Sequence, residues 1–329
     1  MLLPFMLFIL GLIITIKCGD MFVDSAVWIA NKTGVPRLLI GATIVSLGTT
    51  LPELFVSAIA TSQGATGMGI GNAIGSAIFN TSFILAISII ALPSAVARNE
   101  MRGKAGLMIY SAAILLIVSK SGVISKSGAI PLLMITAAFL FLNVASVKKS
   151  KEIITVEFIT RTERGSTVIN IIKFICGAIG ISIGANLMVD NGVLLAIALG
   201  VSEAFVGITL VAMGTSLPEL VTTLSAIRKK EAAIGIGNII GANILDLTLV
   251  LSVSTFISKN GLTIERIQTP FFPNKINQTL LIDLPVCIAA FCIAFLPTMV
   301  SGRFRRWQGI SLLLLYSLYM TFLLMEIST

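Results

Sequence analysis

Apolar residues run along this chain in long stretches broken by short polar loops. Stretches of about 17 to 30 apolar residues are long enough to cross a bilayer as helices. The pattern predicts ten of them, at about residues 2–30, 36–62, 67–92, 103–119, 127–147, 165–193, 200–227, 232–257, 279–298 and 307–326. In lipid each backbone N–H and C=O must find its partner within the segment, so such stretches become helices. The first stretch, MLLPFMLFILGLIITIKCGD, lacks the basic start and small-residue cleavage site of a secretory signal, and is read as a retained helix.

Two passages recur at a constant offset of 166 residues. GATIVSLGTTLPELFVSAIA (41–60) returns as GITLVAMGTSLPELVTTLSA (207–226), with 10 of 20 positions identical. GIGNAIGSAIFN (69–80) returns as GIGNIIGANILD (235–246), with 7 of 12 identical. The first and sixth spans match in the same register through Asp20 and Asp24 against Asn186 and Asp190. Each half holds five spans, an odd number, so the second copy must enter the membrane from the opposite side. The fold expected is an all-α membrane protein of ten transmembrane helices in two inverted-topology five-helix repeats. The first repeat covers 1–147 with its motif at 41–80, a basic linker covers 148–164, and the second repeat covers 165–329 with its motif at 207–246.

Composition agrees with a membrane solvent. The chain is 56% hydrophobic and 12% charged, with a mean hydropathy of +1.01, where a soluble domain carries about 25% charged residues. The net charge of +8 sits in short loops between apolar spans, without the aromatic platforms of a nucleic-acid binder, so no nucleic-acid partner is expected. With the N-terminus outside, sixteen basic residues fall in inner loops and five in outer ones. That bias puts both termini outside a multi-pass protein of the cell membrane. No histidine is present, which removes histidine-based nucleophilic catalysis and zinc sites. Cys18, Cys176, Cys287 and Cys292 lack metal-ligand spacing and read as inert thiols. Neither an enzyme nor a resident cofactor is expected.

The chemistry lies in Gly48–Glu53 and Gly214–Glu219, GTTLPE and GTSLPE. Pro52 and Pro218 lack an N–H and push the preceding residue out of helical geometry, which frees nearby carbonyls around Ser46 to Thr49 and Ala212 to Thr215. Hydroxyls at Thr49, Thr50, Thr215 and Ser216 occupy the same turn. Carbonyl, hydroxyl and carboxylate together suit a hard cation such as Ca²⁺ or Na⁺. A kink stabilised by Ser/Thr explains the prolines alone. It does not explain Glu53 and Glu219, because a charge at mid-membrane costs about 2.5–3.5 kcal/mol and such residues mark ion pathways. Ser76 and Asn80 share a helix face four residues apart, with Ala242 and Asp246 at the matching places. The glycines Gly71 and Gly75, and Gly237 and Gly241, are spaced for close helix packing. Asp20, Asp24, Asp190 and Glu203 read as solvated helix ends.

These paired motifs resemble the α-repeats of the Na⁺/Ca²⁺ exchanger branch of the Ca²⁺/cation antiporter superfamily, and the size and short linker resemble a prokaryotic member. The resemblance implies clustered midplane cation sites. Glu53 and Glu219 would be the central ligands, Thr49 and Thr215 would give hydroxyl or carbonyl oxygens, and Ser46 and Ala212 backbone carbonyls. Ser76, Asn80 and Asp246 would complete the set. It further implies transported Ca²⁺ and Na⁺ without a cofactor, movement of the first and sixth helices across a static core, and three Na⁺ exchanged for one Ca²⁺. Ala242 stands where the family usually has serine, which puts that stoichiometry at stake. The alternatives are a proton-coupled or K⁺-dependent Ca²⁺/cation antiporter and, more distantly, a cation channel. One chain carries both halves of the site, so a monomer suffices.

Overall fold

The computed structural model describes residues 2–154, 166–198, 213–264 and 276–327. The expected seventh span is therefore seen only from Met213, and Ala212 and Glu203 lie outside the described residues. Among the described residues, eight helices are long and apolar enough to cross a membrane, or nine if one bent pair is counted as a single span.

Helix α1 (Leu2–Thr33) opens the chain. A second span is broken into α2 (Arg37–Thr49) and α3 (Leu51–Ser62), bent by 40° at Thr50. Next come α4 (Thr66–Ala91), α5 (Arg98–Val118) and α6 (Lys126–Ile154). The second half brings α7 (Thr167–Ala198), α8 (Leu217–Arg228), α9 (Ala232–Ile257), α10 (Thr279–Ser301) and α11 (Arg306–Ile327). The repeat is visible in this order. Helices α3 and α8 both have 12 residues and begin 166 positions apart. The 14-residue α-helical parts of α4 and α9, Thr66–Phe79 and Ala232–Leu245, keep the same offset.

Helices α4 and α9 form the centre, with 78% and 94% of their apolar windows buried against 17% for α1 and 22% for α7. Small residues make the central packing possible. A Cβ on Gly237 would stand 2.2 Å from the Leu38 carbonyl oxygen, and one on Gly241 2.3 Å from Ser46 Oγ. The backbones of α9 and α2 thus touch, which is the close approach expected of that glycine pair. Gly71 has nothing within 4 Å of its Cβ position among the described residues.

Helices α1 and α7 pack chiefly on each other. Their close approaches pair Gly11 with Gly184, Cys18 with Gly180 and Phe22 with Gly177, so numbers rise on one helix as they fall on the other: the two run antiparallel. Leu10, Ile13 and Ile16 on α1 and Ile172, Ile175, Ile179 and Ile183 on α7 stay exposed. Apolar faces of that extent are at home in lipid rather than water.

Loop contacts gather at two ends of the helices. Val96 N–H donates to the Gly302 carbonyl (3.0 Å), Phe304 N–H to that of Ser94 (2.9 Å), and Arg37 pairs with Glu231 at 2.8 Å. Burial pushes the Glu231 carboxyl up from its ordinary range, and Arg37 opposes that shift. On the other side, β1 (Val123–Ile124) pairs antiparallel with β2 (Leu262–Thr263), and Thr66 Oγ1 donates to the Thr263 carbonyl at 3.2 Å. This two-strand clip had no periodic signal long enough to predict it. Helix α6 also exceeds its expected end at 147 and reaches Ile154, through a stretch with no Pro or Gly to stop it.

Candidate cation site

Both sequence motifs build the same backbone device. Thr50 (φ −81°, ψ −3°), still within the right-handed helical region, and Ser216 (φ −86°, ψ 6°), just outside it, mark the breaks before Leu-Pro-Glu. A new helix then starts with Pro52 or Pro218 in its first turn, where the missing N–H is not needed. Glu53 and Glu219 thereby sit in the first turns of α3 and α8, at the positive ends of the helix dipoles. Both are buried, at 1% and 0% exposure.

Helices α4 and α9 supply the opposing wall. Each changes to a π-helical turn at matching residues, Asn80–Leu85 and Asp246–Val250. Such turns insert an extra residue into the helical repeat and are frequent at functional sites. Asn80 and Asp246 open these turns, buried, one turn beyond buried Ser76 and Ala242.

The structure brings these groups together across the two halves. Ser216 Oγ makes a long bond to Glu53 Oε1 at 3.5 Å, and Ser76 Oγ lies 3.4 Å from Thr215 Oγ1. Glu53 is within electrostatic reach of both Glu219 and Asp246. Thr49 stands near the Glu219 carboxylate, outside hydrogen-bond geometry. Buried oxygens without a hydrogen-bond partner include Glu53 Oε2, both carboxylate oxygens of Glu219 and of Asp246, Asn80 Oδ1 and Thr50 Oγ1. An unsatisfied buried polar group costs about 1–3 kcal/mol, and more when charged. So many in one place call for a partner from outside the chain. No protein cation supplies it: the three ion pairs among the described residues, Arg37–Glu231, Arg228–Asp20 and Lys229–Asp24, all lie near the loop ends. Among the described residues no three acidic or cysteine side chains form a metal cage by themselves. The remaining oxygens are hydroxyl, amide and carbonyl.

Some assignments come out differently in detail. The Ser46 carbonyl is not left free by Pro52: it accepts from the Thr50 N–H at 2.9 Å and from Thr49 Oγ1 at 3.4 Å, because the break falls four residues further on, at Thr50. Asp20 and Asp24 are more than solvated ends. Asp20 pairs with Arg228 and accepts from Ser225 Oγ at 2.6 Å, and Asp24 pairs with Lys229 at 2.5 Å. Sequence reasoning also passed over Asn72 and Asn238. Thr49 Oγ1 donates to Asn238 Oδ1 at 3.1 Å, and Thr215 Oγ1 to Asn72 Oδ1 at 3.0 Å. The signal was present, since Gly-Asn occurs in both copies at offset 166.

Comparison with known proteins gives the site a context. The family model described as "Sodium/calcium exchanger protein" matches residues 3–145 and 169–325. The sodium/calcium exchanger MaX1 of Methanosarcina acetivorans is 30% identical over 97% of this chain and 98% of its own length. An uncharacterized membrane protein of Methanocaldococcus jannaschii is 33% identical over 94% of each. Among solved structures, the sodium-calcium exchanger NCX_Mj, soaked with zero Na⁺ and Ca²⁺, superposes with a TM-score of 0.81 at 31% identity, covering 97% of this chain and 98% of that one. The same protein soaked with Na⁺ and Sr²⁺ gives the same TM-score. With two LPE breaks facing two π turns, and a family match over both halves, this chain belongs to the sodium/calcium exchanger family.

Proposed function

We propose that the chain is a secondary antiporter that exchanges Na⁺ for Ca²⁺ across the cell membrane by alternating access. The observation that carries this reading is the set of partnerless buried oxygens on Glu53, Glu219, Asp246 and Asn80, gathered at the meeting of the two halves. Three carboxylates and neutral oxygen donors, with no protein cation, form a binding set for a hard cation. Thr49, Thr215, Ser76, Thr50 and Ser216 add hydroxyls, and Ser46 and Ala212 are the proposed carbonyl donors. The reading takes ten spans in two inverted halves with both termini outside, and the antiparallel packing of α1 on α7 supports it. Those two helices, bound mostly to each other, are the proposed moving part.

The test is transport by purified protein in Na⁺-loaded liposomes, read as ⁴⁵Ca²⁺ uptake on dilution into Na⁺-free buffer. Uptake should collapse when internal Na⁺ is replaced by choline, and an imposed proton gradient should not restore it. Uptake driven by the proton gradient, or one that requires K⁺, would replace Na⁺ exchange with the corresponding coupling. Ca²⁺ flux that needs no ion on the far side would indicate a channel.

A further inference from the structure

Thr49 and Thr215 each direct a hydroxyl proton to an asparagine of the opposite half of the chain. A threonine inside a helix ordinarily donates to the carbonyl three or four residues back. Thr15 does so to Gly11 at 2.7 Å, Thr43 to Leu39 at 2.7 Å, Thr255 to Leu251 at 2.6 Å and Thr298 to Ala294 at 2.9 Å. Thr49 has only a 3.4 Å approach to the Ser46 carbonyl and a shorter one, 3.1 Å, to Asn238 Oδ1. Thr215 donates to Asn72 Oδ1 at 3.0 Å. Both asparagines are buried, at 4% and 0% exposure, on the two central helices α4 and α9. Each serves a threonine of the opposite half. The Asn72 amide is further oriented by donating from Nδ2 to Ser57 Oγ at 3.0 Å and to the Glu53 carbonyl at 3.3 Å, which turns its Oδ1 toward Thr215.

A cation needs oxygen lone pairs, and a hydroxyl offers them fully only when its own proton points elsewhere. Back-bonding would instead aim the Thr49 proton at the Ser46 carbonyl, itself a proposed ligand. The Glu219 carboxylate near Thr49 could take the proton too, but it stands outside hydrogen-bond geometry and keeps both oxygens free. We propose that Asn72 and Asn238 are positioning residues: each withdraws the hydroxyl proton of the opposite half's threonine, so that Thr215 and Thr49 face the cation with their lone pairs. They touch no ion themselves. This assignment rests on the cation-exchange reading of the site and extends it to two residues on which that reading does not depend.

The test is a double-mutant cycle in the purified full-length protein. Asn238→Ala, Thr49→Val and the double variant are compared by Na⁺-dependent ⁴⁵Ca²⁺ exchange and by thermal stabilisation on adding Na⁺ or Ca²⁺. A single hydrogen bond's effect on affinity is about five- to tenfold. Asn238→Ala should raise half-saturating Na⁺ by about that factor with little change in maximal rate, and should add nothing in the Thr49→Val background. Thr49→Ser, which keeps the hydroxyl, should restore near-parental affinity when compared with Thr49→Val. Asn72→Ser with Thr215→Val repeats the cycle in the other half with a smaller change in packing, and decides the matter if Asn238→Ala fails to insert. Unchanged Na⁺ affinity in the asparagine variants, or losses that multiply in the double variants, would overturn the assignment alone. A parental protein stabilised by neither cation would overturn it together with the exchange reading.

Discussion

Cutting the ion pairs between α1 and α8 should open the protein on the face that carries them. Asp20 pairs with Arg228 and accepts from Ser225, and Asp24 pairs with Lys229. The positions matching Arg228 and Lys229 in the first half are Ser62 and Gln63, so this fastening has no charged equivalent at the other end. If α1 shifts across the core during transport, these contacts must break. Their strength is modest because Arg228 is 61% exposed and Asp24 66%. Partly solvated pairs contribute about 0.2–1 kcal/mol each, so the two together come to about 1 kcal/mol. At about 1.4 kcal/mol per tenfold, Arg228→Gln with Lys229→Gln should raise the population open to this face about fivefold. A reporter lies close by: Thr222, 0% exposed and without a partner at its hydroxyl, sits on α8 between Glu219 and Ser225. In a background with the four native cysteines replaced, Thr222→Cys should react about fivefold faster with a membrane-impermeant thiol reagent applied from that face. Choline chloride at high concentration should speed the parental reaction and leave the variant unaffected, since salt screens the pairs. Equal or slower labelling in the variant would refute the idea that these pairs hold the face shut.

Other expectations follow from single residues. Glu53→Gln and Glu219→Gln should each abolish Ca²⁺ exchange while the protein still inserts; near-parental flux in either would remove the central ligand assignment. Gly237→Ala should lower the melting temperature in detergent, because its Cβ would meet the Leu38 carbonyl at 2.2 Å and all three nearest atoms, from Leu38, Ala42 and Gly41, are backbone. Overpacking of this kind costs about 1–3 kcal/mol, and an unchanged melting point would mean that α2 and α9 separate easily. Lys230→Gly should stabilise the protein by about 1 kcal/mol, since Lys230 holds φ 60° where the first half has Gly64 at φ 90°. Denaturation of both proteins checks this.

The helices among the described residues were legible from run length, because lipid leaves an apolar stretch few other forms. The two glutamates were legible because the repeat places a charge, twice, where charge is costly. What the sequence did not reveal depends on contacts between the halves. The hydrogen bonds of Asn72 and Asn238 cross 143 and 189 positions of chain, and Gly-Asn alone reads as packing. The π turns at Asn80 and Asp246 have no compositional mark, and hydrophobic periodicity does not detect one extra residue in a buried turn. The fastening of Asp20 to Arg228 looked like two separate solvated ends until the chain brought them together.

The halves differ at one functional position in a way that bears on electrical behaviour. Asn80 and Asp246 occupy equivalent places, so the site has three carboxyl groups rather than two or four. With all three ionised, one Ca²⁺ leaves a net charge of −1 and three Na⁺ leave none. A carrier that alternates between those loads moves one charge per cycle, and the membrane potential biases it by about 2.3 kcal/mol per 100 mV. Asp246→Asn makes the halves alike and reduces the site to two carboxylates. Ca²⁺ then neutralises it, as do two Na⁺, and exchange between these loads moves no net charge. The variant should therefore still exchange Na⁺ for Ca²⁺ with reduced Na⁺ cooperativity, and its flux should no longer respond to a K⁺–valinomycin potential that drives the parental protein. A voltage response as large as the parental one would mean that Asp246 is neutral during the charge-moving step, and that the odd carboxyl group does not set the electrogenicity.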